Sequence, residues 1–325
     1  MLPNFRYVQA KSVKEAVRHL DSGEARVHAG GTDLLGCLRD KVFGAEKIVS
    51  ISRMNKLRGI SETPDGGVCI GALTTITEVA ESPLINRLYP GLARGASEVA
   101  SPQLRNQGTL GGNLCQKPRC WYYRGEFPCL RKGGDRCYAV GGENQFHCIF
   151  GGEHCYIVHP SDTAPALAAF GASVKVKGPN GSKTIPVERL HMPPSRDPQR
   201  ETVLEPGDIL TEILLPRPPS GLRSSYRKVR ARRAWDFALA GVALAIQVED
   251  AKIRHARVVL SGVAPVPWRA KIVEEIVTGK RINGHLASRA SEAAIKGAEP
   301  MEKNGYKIPL VRGLLEEELL AIAQA

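Results

Sequence analysis

Behind Ser12 the chain spaces Val13, Ala16, Val17 and Leu20 by three and four positions, the spacing of one helix face, and Ser12 with Glu15 forms a capping box. This predicts an amphipathic helix running to about Ser22. Shorter apolar runs follow: Arg26 to Ala29, Lys47 to Ile51 and Val68 to Ala72 read as strands, and Thr75 with Glu78 opens a second capped helix. Gly30, Gly31, Thr32 and Asp33 separate the first strand from a helix expected at Leu34. Thr163 to Phe170 reads as a short helix, capped by Ser161 or Asp162 and stopped near Gly171. Ser173 to Ile185 reads as a hairpin turning at Asn180 and Gly181. From Met192 to Pro219 prolines and charges break the periodicity, which suggests a linker with one strand inside it at Ile209 to Leu215. Beyond it, Phe237 to Val248 and Ile253 to Ser261 suggest antiparallel strands joined at Glu249 to Lys252. Ala270 to Thr278 and Leu286 to Gly297 suggest helices. The order predicts an α+β protein of two domains, over 1–215 and 216–325.

A length of 325 residues suits more than one domain, and 42% apolar with 24% charged residues is a globular balance that excludes disorder. The longest mainly apolar stretch, Phe237 to Val248, is too short to cross a bilayer, so no membrane span is expected. The first residues hold no apolar run followed by a small-residue cleavage site, so no secretory signal is expected and the default address is cytoplasmic. Net charge of +12 admits a nucleic-acid surface, an anionic cofactor or an acidic partner. The charge is concentrated. Lys117 to Arg136 holds six basic and two acidic residues, and Arg223 to Arg233 holds six basic and none acidic.

Two double-glycine turns carry candidate chemistry: Ala29 to Asp33, and Thr109 to Asn113 around Gly111 and Gly112. Glycine permits positive φ and removes Cβ, so successive N–H groups can converge on an anion. Either turn could equally be a tight connection that needs glycine. Neither matches GxGxxG, which disfavours a Rossmann nicotinamide site.

Six of the eight cysteines fall between Cys115 and Cys155, spaced Cys115-x4-Cys120-x8-Cys129-x7-Cys137-x10-Cys148-x6-Cys155. In a reducing compartment these are free thiols or metal ligands. Structural zinc normally uses CxxC knuckles, and none occurs here. Wide spacing suits an iron–sulfur cube, whose overall negative charge Arg119, Arg124, Arg131, Lys132 and Arg136 would stabilise. Plain thiols in an irregular loop, or zinc, are the alternatives.

Taken together, AGGTDLL from Ala29, QLRNQGTLGGNL from Gln103, HPSDTAPAL from His159 and YRKVRARRAWDFALAGVALAI from Tyr226 resemble the FAD-binding subunit of the xanthine dehydrogenase and aldehyde oxidoreductase family. The cysteine-rich insertion, at about 114–158, resembles the medium subunits of 4-hydroxybenzoyl-CoA reductase and bacterial aldehyde oxidoreductases, which carry an extra 4Fe-4S cluster. The resemblance implies a two-subdomain, vanillyl-alcohol-oxidase-like (PCMH-type) FAD-binding domain, followed by a smaller α+β domain like the C-terminal domain of CO dehydrogenase flavoprotein. It implies that Ala29, Gly30, Gly31, Thr32, Asp33 and Leu34 form the first pyrophosphate loop and Thr109, Gly111, Gly112 and Asn113 the second. Val99 and Ala100 would lie against the flavin ring, and Asp162 would accept a hydrogen bond from a cofactor hydroxyl, unless it merely caps the helix that follows. The matching cluster ligands are Cys120, Cys129, Cys137 and Cys155. Cys115 and Cys148 are then buried thiols, and Cys37 and Cys69 belong to the core.

The resemblance further implies an electron-transfer component with no catalytic residue of its own. Its partners would be a large subunit with the molybdenum cofactor and a small subunit with two 2Fe-2S clusters, in a heterotrimer or a dimer of heterotrimers. The Cys120 to Cys129 spacing leans toward the aldehyde-oxidising type over the dehydroxylating one; the former can reach the periplasm on a partner's signal. The competing reading is a zinc-stabilised nucleic-acid-binding module that stacks bases on Trp121, Tyr122 and Tyr123. It leaves the glycine turns and HPSD without a role.

Overall fold

The computed structural model describes residues 1–20 and 24–324. The first helix, Val13–His19, is capped by Ser12, whose Oγ accepts from Glu15 N at 3.2 Å; its expected end at Ser22 lies outside the described residues. It covers a three-stranded parallel sheet in the order Arg6–Gln9, Lys47–Ser50, Ala25–His28. The edge strand Arg6–Gln9 has no apolar alternation and is not legible in the sequence. The capping box at Thr75 and Glu78 forms in full.

A five-stranded antiparallel sheet runs Ile60–Glu62, Val68–Gly71, Ile209–Leu215, Ser173–Gly178, Gly181–Pro186. Its middle strand is the one expected at Ile209 to Leu215. The prolines flank it without interrupting it, and Ile209, Leu210, Thr211, Ile213 and Leu215 are all buried between neighbours, so this part of the segment belongs to the sheet and not to a linker. The hairpin turns at Pro179 and Asn180, one residue early, since Gly178 pairs with Gly181 and Gly181 already opens the returning strand.

Beyond Pro219 a four-stranded antiparallel sheet orders Trp268–Arg269, Lys252–Ser261, Ala240–Glu249, Leu222–Val229. Asp250 and Ala251 make its tight turn at φ of 51° and 59°, the left-handed pair that suits the twist of a two-residue hairpin. Helices Lys271–Val277, Gly284–Ala294 and Lys307–Gln324 complete this domain. The sequence reading ends its helices at Gly297 and omits the last and longest, although Val311, Leu314, Leu315, Leu319 and Ile322 are its buried face. Helices Pro90–Ser97 and Thr163–Ala169 pack between the two larger sheets, so that Leu92 and Leu167 share one core with Ala243 and Val259.

Candidate functional site

Both glycine turns open on one cavity of about 700 Å³, a size suited to a cofactor. The first follows strand Ala25–His28 and precedes helix Leu34–Arg39. Gly31 sits at φ 74°, and a Cβ on Gly30 would lie 2.1 Å from the Gln107 carbonyl oxygen, so the turn is pressed against the second loop. Gln107 Nε2 donates to Gly30 O at 3.2 Å and turns that carbonyl away from the cavity. Among the described residues, the N–H groups of Gly30, Gly31, Thr32, Asp33 and Leu34 donate to no protein acceptor. Five unpaired donors in succession suit an anionic ligand.

In the second turn Thr109 caps helix Leu110–Leu114 by accepting from Gly112 N at 3.2 Å. A Cβ on Gly111 would meet Ala72, whereas one on Gly112 would meet only Thr109 Oγ1. Gly112 is therefore the glycine whose missing side chain keeps the cavity open. Asn113 Oδ1 accepts from the hydroxyls of Ser161 and Thr163, which fixes the HPSD turn beside the loop.

Asp33 lines the cavity, but its carboxylate is taken up by Arg119 Nη1 and Arg124 Nη2, each at 2.8 Å, and by Lys117 N at 2.7 Å. Val99 and Ala100 also line it; Ala100 holds φ 45°, strained for a residue with a Cβ, and its carbonyl accepts from Trp235 N. Asp162 does not cap the helix behind it, since Ala164 N donates to Ser161 Oγ at 2.9 Å. Instead Asp162, which lines the same cavity, accepts from Tyr226 Oη and Lys228 Nζ, each at 2.8 Å, in a buried cluster behind it. Burial pushes its carboxyl up, and Lys228 and Tyr226 offset that. Tyr226 and Lys228 were not legible as site residues, because in sequence they sit inside a basic run.

Most of that run is paired. Arg223 donates to the last carbonyls of helix Lys307–Gln324, Arg227 meets Glu317 and Glu318, Arg230 meets Glu98, and Arg232 meets Asp236.

Cys120, Cys129, Cys137 and Cys155 line a second, small cavity together with Arg131 and His147, while Cys115, half-buried rather than buried, lines the large cavity, and Cys148 is buried and lines neither. All eight cysteines are free thiols. Burial raises Cys120 to about 12 and also raises Cys155, which Arg131 opposes. Cys37 is buried, as expected; Cys69 is not in the core but lies half-buried beside Glu212. The five cations expected around these thiols divide. Only Arg131 lines the cavity, with its guanidinium held by Glu201 and Pro198 O. Arg119 and Arg124 are drawn to Asp33, Lys132 donates to Gly125 O, and Arg136 lies exposed over Tyr138.

Among the described residues no group of three or more His, Cys, Asp or Glu side chains is drawn together to hold a metal ion. Trp121, Tyr122 and Tyr123 share no face: Tyr123 is buried, Tyr122 accepts from Glu143 N, and Trp121 meets Phe146 edge-on. The zinc module with a base-stacking platform loses its basis. No helix among the described residues is long and apolar enough to cross a membrane.

Residues 3–218 match the family described as the FAD binding domain in molybdopterin dehydrogenase, and residues 224–322 match the CO dehydrogenase flavoprotein C-terminal domain. The aldehyde oxidoreductase FAD-binding subunit of Escherichia coli (strain K12) is 34% identical over 305 residues, 93% of this chain and 92% of that one. The carbon monoxide dehydrogenase medium chain of Hydrogenophaga pseudoflava is 29% identical over 303 residues, 92% of this chain and 89% of that one. Among solved structures, a chain of the carbon monoxide dehydrogenase from Hydrogenophaga pseudoflava is similar with a TM-score of 0.79 and 27% identity, covering 100% of this chain and 98% of that one.

Proposed function

Because the chain belongs to the FAD-binding medium subunits of the molybdopterin dehydrogenase family, we propose that its two glycine turns hold the FAD pyrophosphate and that its cysteine-lined void holds a 4Fe-4S cluster. The observation that carries the first part is the row of unpaired N–H groups from Gly30 to Leu34, facing the same cavity as Gly112. Ala29 to Leu34 form one side of the grip, Thr109, Gly111, Gly112 and Asn113 the other. Asp33 contributes its N–H, while its carboxylate orients Arg119 and Arg124 beside the phosphates. Val99 and Ala100 shape the wall against the flavin ring. Asp162 keeps lone pairs for a cofactor hydroxyl beyond those used by Tyr226 and Lys228.

FAD exchanges electrons singly with iron–sulfur centres and in pairs with an external carrier, while the protein supplies position and electrostatics. The protein's own residues bind, orient and neutralise charge. Cys120, Cys129, Cys137 and Cys155 converge on one void with a buried arginine beside it, which fits an anionic cluster held by four thiolates. We assign the oxidation chemistry to a large subunit with the molybdenum cofactor and the electron supply to a small 2Fe-2S subunit, in a heterotrimer, with the boundary between this chain's two domains near residue 215. Aldehydes are the proposed substrates of that complex, on the Cys120 to Cys129 spacing and the 34% identity to an aldehyde oxidoreductase subunit. The proposed compartment is the cytoplasm.

The test is anaerobic purification with flavin, iron and acid-labile sulfide counted per chain, and an EPR spectrum after dithionite reduction. One FAD with four irons and a fast-relaxing reduced-cluster signal supports both halves. One FAD without iron overturns the cluster; no flavin overturns the glycine-turn assignment.

A further inference from the structure

His147 is the one histidine in the wall of the cysteine void. Its Nε2 lies 3.3 Å from Cys120 Sγ. Its other nitrogen, Nδ1, is buried with no hydrogen-bond partner. A thiolate only accepts, so an Nε2 lone pair facing it would repel, and the tautomer with the proton on Nε2 is selected.

The backbone that carries His147 is fixed from the C-terminal domain. Asn304 Nδ2 donates to the carbonyls of His147 at 3.1 Å and Cys148 at 3.0 Å, and Lys307 Nζ donates to Phe146 O at 3.1 Å. Tyr306 Oη donates to Gln145 O at 2.9 Å. Four consecutive carbonyls are thus held, which sets the ring against the sulfur with little freedom to withdraw. Arg131, which lines the same cavity, has its charge met by Glu201.

We propose that His147 is a positioning residue that donates a hydrogen bond from Nε2 to Cys120 Sγ and thereby raises the reduction potential of the cluster. This rests on the four-iron reading above. A donor to a ligand sulfur stabilises the more negative, reduced state more than the oxidised one.

The experiment is an EPR-monitored redox titration of the intact complex, isolated anaerobically, as wild type, His147→Leu and His147→Gln, with iron and FAD counted in each. Leucine removes the donor; glutamine returns an N–H at nearly the same place. The leucine variant is expected to keep its iron and FAD and to titrate at lower potential, with about a tenfold change in the oxidised-to-reduced ratio at fixed poise, or about 59 mV for a one-electron couple. Glutamine is expected to restore most of the shift. If leucine loses iron, the glutamine variant decides: a potential at the wild-type value supports the donor role, and a lowered one overturns it. Equal potentials in all three, or loss of iron from both variants, overturn the inference while leaving the cluster in place in the wild type. An iron-free wild type with FAD bound overturns the cluster reading itself and this inference with it.

Discussion

Gly30→Ala tests whether the two glycine turns work as one grip. The new Cβ would lie 2.1 Å from Gln107 O and 3.0 Å from Gln107 C, and both are backbone atoms that no rotamer change can move. The carbonyl must retreat by about 1 Å, and a gap of that size forfeits a quarter to a half of the attraction across the joint. Overpacking of this kind costs about 1–3 kcal/mol. For about 2 kcal/mol the melting temperature of the flavin-free protein should fall by about 4–8 °C. Separated turns also lose register on the pyrophosphate. One lost N–H bond to a charged oxygen is worth about 1.5–3 kcal/mol, so the dissociation constant for FAD, read by flavin fluorescence titration, should rise roughly tenfold to a hundredfold. Gly112→Ala is the matched control: its Cβ meets only Thr109 Oγ1, at 3.0 Å, so FAD should bind more weakly with the melting temperature nearly unchanged. A Gly30→Ala protein with lowered melting temperature and undiminished FAD affinity would refute the reasoning, because contact between the loops would then not matter to the ligand.

Lys228→Met leaves the Asp162 carboxylate buried without its ammonium and should destabilise the protein by about 3–5 kcal/mol in urea denaturation, with Asp162→Asn in the same chain recovering most of the loss. Burial holds His191 at about 4 against an ordinary 6.5, so between those values the unfolded chain takes a proton that the folded one refuses. Stability should therefore fall as pH drops from 6.5 toward 4, by up to about 3 kcal/mol from this group, and His191→Gln should flatten the denaturation midpoint over that window relative to wild type. Gly313→Ala, exposed within helix Lys307–Gln324 and with nothing within 4 Å of the new Cβ, should stabilise the C-terminal domain by about 0.5–1 kcal/mol in thermal melts.

Elements with their own local signal were legible: capped helices at Ser12 and Thr75, the hairpin near Gly181, and the long strands ending at Glu249 and Ser261. What sequence reasoning lost depends on distance. Ile209–Leu215 was legible as a strand but its place in the middle of a sheet was not, because its pairing with Val68–Gly71 and Ser173–Gly178 is long-range. The glycine turns were legible because glycine marks a backbone need at its own position. Lys228 and Tyr226 were not, because what distinguishes them from neighbouring polar residues is burial against Asp162, 66 and 64 positions away.

The arginines of the cysteine-rich loop show the same limit, and they change what the loop is for. Proximity in sequence suggested that Arg119 and Arg124 serve the thiols beside them, yet both side chains reach Asp33 in the glycine turn. Lys117 and Arg131 converge on Glu201. Four cations thus meet two carboxylates, which leaves a surplus of two positive charges, and Lys117, Arg119 and Arg124 face the large cavity. Such a surplus, partly screened from water, is unfavourable in the empty protein and is relieved by an anion. The two negative charges of a pyrophosphate would balance it. The loop therefore serves two cavities: its cysteines face one, and its cations complete the other.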